Sequence, residues 1–168
     1  MICAHHSLRL SLIFCFPIYR WSQVQPIAAL NAVVPGVPLS LNHSLFSAVI
    51  GLTAWVGTNI CAPATGKTFV VSGAAGAVGS VAGQLAKMRG ARVVGIAGGA
   101  AKCQLVTEFY GMDAAIDYKN KGETLQQALD RICPEGVDCY FDNVGGPTLE
   151  AVLTKCNNFA NGTVSDLA

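Results

Sequence analysis

Val70-Val71-Ser72-Gly73-Ala74-Ala75-Gly76-Ala77-Val78-Gly79-Ser80 is an apolar run that enters a glycine-punctuated turn and leaves it as a helix. Such a turn brings backbone N–H groups at a helix N-terminus up to a pyrophosphate with no Cβ atoms in the way. Within it, Ala74-Ala75-Gly76-Ala77-Val78-Gly79 fits a dinucleotide fingerprint with alanine in the first glycine slot. Gly76 lets the backbone approach phosphate, Gly79 lets helix and strand pack closely, and Gly83 extends that contact by a turn. In a chain with 18 glycines the spacing alone is weak, and its bland reading is a structural tight turn. What gives it meaning is its place between a strand and a helix.

The same unit repeats downstream. Apolar runs begin near Phe69, Val93, Ala114 and Val137, each followed by a helical pattern, which predicts a parallel sheet with right-handed crossovers. The first helix, near Val78 to Met88, carries Val78, Val81, Leu85 and Met88 on one face and stops at Gly90 behind Lys87 and Arg89. The second carries Leu105, Val106 and Phe109 and stops at Gly111. The third aligns Leu125, Ala128, Leu129 and Ile132 ahead of Pro134, and the fourth starts at Pro147 and aligns Leu149, Val152, Leu153 and Cys156. Ahead of the block, Asn42 to Asn59 forms a further helix with Leu45, Val49, Leu52 and Trp55 on one side, interrupted by Gly51. Residues 20 to 41, with Pro26, Pro35 and Pro38, read as an irregular connector. After Ala160 the pattern fails: Asn161-Gly162-Thr163-Val164-Ser165-Asp166 is polar where a fifth strand is due, so the sheet is expected to stop short. The domain reading is a leader and connector over residues 1–41 and a partial nucleotide-binding domain over 42–168.

Composition bounds the function. The chain has 168 residues, enough for one domain with a substantial core, and its 52% hydrophobic against 12% charged residues argue for a sheet covered on both faces. A net charge of +1 gives neither a basic stripe for nucleic acid nor an acidic tail. The seven cysteines (Cys3, Cys15, Cys61, Cys103, Cys133, Cys139 and Cys156) show no CxxC pair and no histidine at zinc-ligand spacing. They read as reduced, mostly buried thiols of a cytoplasmic protein, with no metal expected. Leu8 to Phe16 resembles a short signal-peptide core, but Arg9 interrupts it, Pro17 ends it and no small-residue cleavage site follows closely. The run is far below the about 20 residues that cross a bilayer, so no membrane partner is expected. The sequons at Asn42 and Asn161 carry meaning only in a secreted chain.

The end of the second strand selects the nucleotide. An NAD site places Asp or Glu about 20 residues past the turn to hold the ribose hydroxyls. Here the segment is Ile96-Ala97-Gly98-Gly99-Ala100-Ala101-Lys102, without a carboxylate. A ribose 2′-phosphate is then tolerated, and NADP is the expected cofactor. Lys102 either neutralises that phosphate or is an ordinary solvated lysine. The fourth strand ends in Phe141-Asp142-Asn143-Val144-Gly145-Gly146, which puts Asn143 at the carboxyl edge of the sheet, as a ligand contact or as a turn or capping residue. Tyr118 either reaches the same edge with its hydroxyl or is an edge-strand aromatic.

In this order, these residues resemble the cofactor domain of the zinc-independent medium-chain dehydrogenase/reductases. The likeness is to the NADPH-dependent alkenal/one reductases: prostaglandin (leukotriene) reductases, curcumin reductases and plant double-bond reductases. Gly51 to Gly57, Gly73 to Lys87, Val93 to Lys102, Ala114 to Lys119 and Tyr140 to Gly146 are similar to the family's blocks, and the likeness covers about residues 39 to 160. It implies an α/β fold: a Rossmann-like parallel sheet with flanking helices, truncated before the full six strands. It also implies that Gly76, Ala77, Val78 and Gly79 line the pyrophosphate, that Lys102 and Tyr118 bind the 2′-phosphate, and that Asn143 contacts the cofactor.

The implied activity is NADP(H)-dependent reduction of the C=C bond of α,β-unsaturated ketones and aldehydes, so the implied partner is a small enone or enal. The family's GroES-like domain has no counterpart before Asn42, where Val49-Ile50 also replaces a usual Met-Pro pair. The elements that follow the fourth helix unit in the family have none either. No catalytic residue carries over, and the expectation is a fragment that binds without turnover. The alternative is a non-catalytic NADP(H)-binding module. A short-chain reductase is disfavoured, since no tyrosine has lysine four residues on.

Overall fold

The computed structural model describes residues 9–14 and 49–166. In chain order the elements are β1 (Arg9–Phe14), α1 (Val49–Cys61), β2 (Thr68–Ser72), α2 (Ala77–Met88), β3 (Arg92–Ala97), α3 (Ala100–Gln104), β4 (Ala114–Asp117), α4 (Leu125–Ile132), β5 (Val137–Asp142), α5 (Gly146–Leu153) and β6 (Cys156–Asp166). All strand pairs are parallel, in the order β1-β6-β5-β2-β3-β4. The chain walks outward from β2 to β4 on one side, then returns to lay β5 and β6 on the other. The direction therefore reverses between β2 and β5, and the crevice at their carboxyl ends is where open α/β sheets take ligands.

Alternation along the strands splits the core into two layers. Phe69 and Val71 of β2, Val93 of β3 and Phe141 of β5 face α1 and α2. Val70, Val94, Ile96 and Tyr140 face α4 and α5, where they meet Leu129 and Val152. With both faces covered, all five residues of β2 are buried, which explains why that strand is a continuous apolar run. Helix α4 matches its periodic reading. Thr124 caps it, accepting from the Gln127 amide while Gln127 accepts from the Thr124 amide in return, and Ala128 and Leu129 are buried.

Several elements depart from the pattern. In α1 the buried face is Ala54, Gly57, Thr58 and Cys61, while Leu52 and Trp55 are exposed. The small-residue face brings the helix close enough to α2 for Arg89 to donate to the Thr58 carbonyl and to Asn59 Oδ1. The part of the expected helix before Val49, like Cys3, Cys15, the connector and the sequon at Asn42, lies outside the described residues. Met88 is exposed at the end of α2. The second helix is α3 followed by a wide π turn over Leu105–Phe109, in which the Tyr110 amide bonds to the Leu105 carbonyl. That pitch rotates the apolar positions apart, so Val106 is buried while Leu105 and Phe109 are exposed. Cys156 belongs to β6, because α5 ends at Leu153.

The largest correction concerns the fifth strand, which is present. β6 pairs with β5 from Cys139↔Asn161 to Asp142↔Val164, after a bulge that throws Phe159 outward at φ 66°. Two of the polar letters, Asn161 and Thr163, misled because their partners come from α1. Thr163 is fully buried; it donates to the Gly57 carbonyl at 3.3 Å and accepts from Cys61 Sγ at 3.3 Å, while Asn161 Nδ2 reaches the Cys61 carbonyl. Strands β2 to β6 thus give five of the alternating block's strands. The outer edge of β6 is paired with β1, from Arg9↔Asn161 to Phe14↔Asp166, so the segment read as a leader contributes a strand and covers that edge. Replacing Thr163 by valine keeps the shape but strips the Gly57 carbonyl of its buried donor. It should cost about 1–3 kcal/mol, read as a lower urea midpoint at unchanged slope.

Candidate dinucleotide site at the switch point

The glycine turn is built by close approach. β2 ends at Ser72, Gly73 turns the chain at φ 60°, and the Ala74 amide bonds to the Ile96 carbonyl of β3. The Gly76 amide closes the turn on the Gly73 carbonyl at 2.8 Å, and α2 starts with the Ser80 amide on the Gly76 carbonyl. A Cβ at Gly79 would collide with the Gly73 carbonyl, and one at Gly76 would come within 3.1 Å of the same oxygen. Only glycine lets the first turn of the helix lie this close against the strand end.

No side chain caps α2 and its first turn holds no acidic residue. Its leading amides and the positive end of its dipole are therefore left for an anion. Gly76 and Ala77 are exposed there; Val78 turns its side chain into the core, so its part in binding would be its amide, and Gly79 is buried as a packing residue.

The loop after β3 is organised from β4. One Asp117 carboxylate oxygen accepts from the Gly99 amide at 2.7 Å and from the Lys119 amide at 2.9 Å, and these two bonds hold its carboxyl below the usual carboxylate range. The Tyr118 hydroxyl lies over Gly98, where a Cβ would be 2.7 Å away, and the ring is half exposed. Tyr118 is thereby brought to the loop that carries Lys102, in α3 just beyond Gly99. Among the described residues Lys102 is in no ion pair. A cavity of about 480 Å³ flanks this loop beside Ala100, Cys103, Asp117 and Arg131.

Across the crevice, Asn143 follows β5. Its amide donates to Ser72 Oγ at 2.7 Å and its Nδ2 to the Ser72 carbonyl at 2.8 Å, and its side chain packs at Gly73. Its Oδ1 is buried without a hydrogen-bond partner among the described residues. The helix beyond is capped by Gly145 at φ 68°, so Asn143 is not its cap. Sequence reading missed Asp142, fully buried between β2 and β5 as the acceptor for Ser72 and Tyr140. A signal existed: polar residues end two otherwise apolar strands that face one another.

Burial pushes the thiol of Cys61 up to about 11, that of Cys139 to about 12 and that of Cys156 to about 11, which keeps all three protonated. No group of three or more His, Cys, Asp or Glu converges among the described residues, and no described helix is long and apolar enough to cross a membrane.

Comparison with known proteins follows this geometry. The family model described as zinc-binding dehydrogenase matches residues 77–165. A putative NADP-dependent oxidoreductase of Bacillus subtilis, YfmJ, is 54% identical over 111 residues, 66% of this chain and 32% of the relative. The NADPH-dependent curcumin reductase of Escherichia coli is 42% identical over 118 residues, 70% of this chain and 34% of the relative. Among solved structures, CurA from Vibrio vulnificus in complex with NADPH has a TM-score of 0.64 at 41% identity, over 68% of this chain and 35% of that one. The chain thus spans about a third of the length of these relatives. With more than half of its residues inside the family match, the chain belongs to the medium-chain dehydrogenase/reductases, the family of zinc-binding dehydrogenases that includes these NADPH-dependent reductases.

Proposed function

We propose that residues 42–168 form an NADP(H)-binding unit of an oxidoreductase that reduces the C=C bond of α,β-unsaturated ketones and aldehydes. The observation that carries this reading is the uncapped glycine turn at the switch point, joined to a β3 end that holds no carboxylate. The residues fit the cofactor on three counts. Gly79 lets α2 pack on the Gly73 carbonyl and so brings its uncapped first turn to the crevice, Asn143 Oδ1 is a buried acceptor with no partner among the described residues, and Lys102 of α3, in no ion pair among those residues, follows the loop under Tyr118. Gly76 would line the pyrophosphate with its bare backbone, the Ala77, Val78 and Gly79 amides would hold it, Lys102 and Tyr118 would take the 2′-phosphate, and Asn143 a hydroxyl or amide donor beyond it.

When bound, NADPH would supply the hydride for the β-carbon of the enone, with solvent the source of the proton for the α-carbon. This chain's residues bind and orient. Asp117 holds the loop in place, its one oxygen taking the Gly99 and Lys119 amide hydrogens. The zinc of the family description has no fitting set of donors among the described residues, so no metal enters this reading. Names among the relatives, such as 2-alkenal reductase of Nicotiana tabacum and (+)-pulegone reductase of Mentha piperita, support an enone or enal as the substrate class.

Thermal denaturation with added coenzyme tests the binding claim. NADP⁺ should raise the midpoint and NAD⁺ should raise it less; no shift with either at millimolar concentration ends the reading. Lys102→Ala should weaken NADPH binding about tenfold, the scale of one lost charge-assisted contact, and leave NADH binding unchanged. Gly79→Val should abolish both, because the side chain displaces the Gly73 carbonyl under the turn. The reaction is checked by NADPH oxidation with nonenal: coenzyme binding without turnover is expected of these 168 residues, and saturable turnover overturns that expectation.

A further inference from the structure

The buried carboxylate at the end of β5 is the feature that binding alone does not use. Asp142 is fully buried, yet among the described residues it is in no ion pair. Its oxygens are satisfied by neutral donors: Ser72 Oγ at 2.7 Å, the Tyr140 hydroxyl at 2.6 Å, the Val144 amide at 3.2 Å and the Gly145 amide at 3.0 Å. Burial, with the neighbouring Asp142 charge second, pushes the Tyr140 phenol well above its ordinary value, so it stays a donor. A buried carboxylate is costly to keep, and its full complement of donors makes it rigid.

Rigidity matters because of what Ser72 does next. Its one hydroxyl hydrogen goes to Asp142, which fixes the rotor and turns an oxygen lone pair toward the Asn143 amide. The Ser72 carbonyl then takes Asn143 Nδ2, and the side-chain amide is left with its oxygen unpartnered at the crevice. Topology says which part of a dinucleotide lies there. With the 2′-phosphate read at the β3 and β4 ends and the pyrophosphate at the β2 end, the strand order carries the other half over β5.

We infer that Ser72 and Asp142 are positioning residues for the nicotinamide half of the cofactor, acting through Asn143. Asp142 locks the Ser72 hydroxyl and Ser72 locks Asn143, whose buried, unpartnered oxygen would take a donor from that half as it packs against Gly73 and Val144. The inference rests on the NADP(H) reading and adds two residues to it that touch no ligand themselves.

Two probes on the full 168-residue chain separate the possibilities: NADPH, and 2′,5′-ADP, which carries the 2′-phosphate but no nicotinamide half. By titration calorimetry, Ser72→Ala should weaken NADPH about tenfold, the scale of one lost hydrogen bond to a misplaced amide, and leave 2′,5′-ADP unchanged. Asp142→Asn should do the same, because an amide presents a donor where the carboxylate met only donors. Tyr140→Phe removes a bond to Asp142 as short as that from Ser72, but the Ser72 hydroxyl and the Val144 and Gly145 amides still hold the carboxylate, so it should leave both affinities near wild type.

The inference is overturned if Ser72→Ala weakens both probes alike or neither, or if Tyr140→Phe matches it. Should Asp142→Asn fail to fold, the pair Ser72→Ala and Tyr140→Phe still decides. A wild-type chain that binds neither probe removes the coenzyme reading itself, whereas binding of both with no selective loss in Ser72→Ala removes only this inference.

Discussion

One carbonyl oxygen governs this architecture. The Gly73 carbonyl closes the turn by accepting from Gly76, and it fills the space that any side chain at Gly79 would need. Because α2 can lie that close to β2, its first-turn amides face the crevice at a distance fixed by the backbone. Close approach recurs nearby: a Cβ at Gly95 of β3 would strike Val106 and Ala74, and one at Gly83 of α2 would strike Met112. At the turn itself, missing Cβ atoms rather than added contacts set how near the helix comes to the strand end.

What was legible in the sequence follows from where burial is one-sided or complete. β2 and β5 read as strands because both faces are covered, and α4 read as a helix because one face is, with Leu125, Ala128, Leu129 and Ile132 in register and a Thr124 cap. The glycine turn was legible because only backbone constraints put glycine at such spacings. β6 was not legible, since Thr163 and Ser165 are buried polar residues, and the carbonyl that satisfies Thr163 belongs to α1, over a hundred residues away in sequence. The inward face of α1 was misread for a related reason. Its buried positions are small residues chosen for close approach, while its large residues Leu52 and Trp55 lie outward.

The candidate site divides along the same line. The turn glycines Gly76 and Gly79 were legible because a local backbone constraint sets their spacing. The surroundings of Tyr118 and Asn143 were not, because they come from long-range contacts: Tyr118 lies over Gly98 of another strand's loop, and Asn143 is tied to Ser72 across the crevice. Asp142 was passed over, because an acidic residue at a strand end is ordinarily a solvated terminus. Here it is the acceptor at which two strands meet.

That placement gives the two carboxylates nearest the crevice a common logic. A phosphate-binding crevice favours few negative charges, yet Asp117 and Asp142 stand at its two ends. Asp117 spends its charge on the Gly99 and Lys119 amides, and Asp142 on two hydroxyls and two amides. Each accepts backbone amide hydrogens that hold it in place without removing its charge, and each shapes a loop next to a candidate ligand residue: Lys102 on one side, Asn143 on the other. Acidic residues can therefore serve as anchors for the loops of a crevice whose uncapped helix end and Lys102 carry the opposite sign.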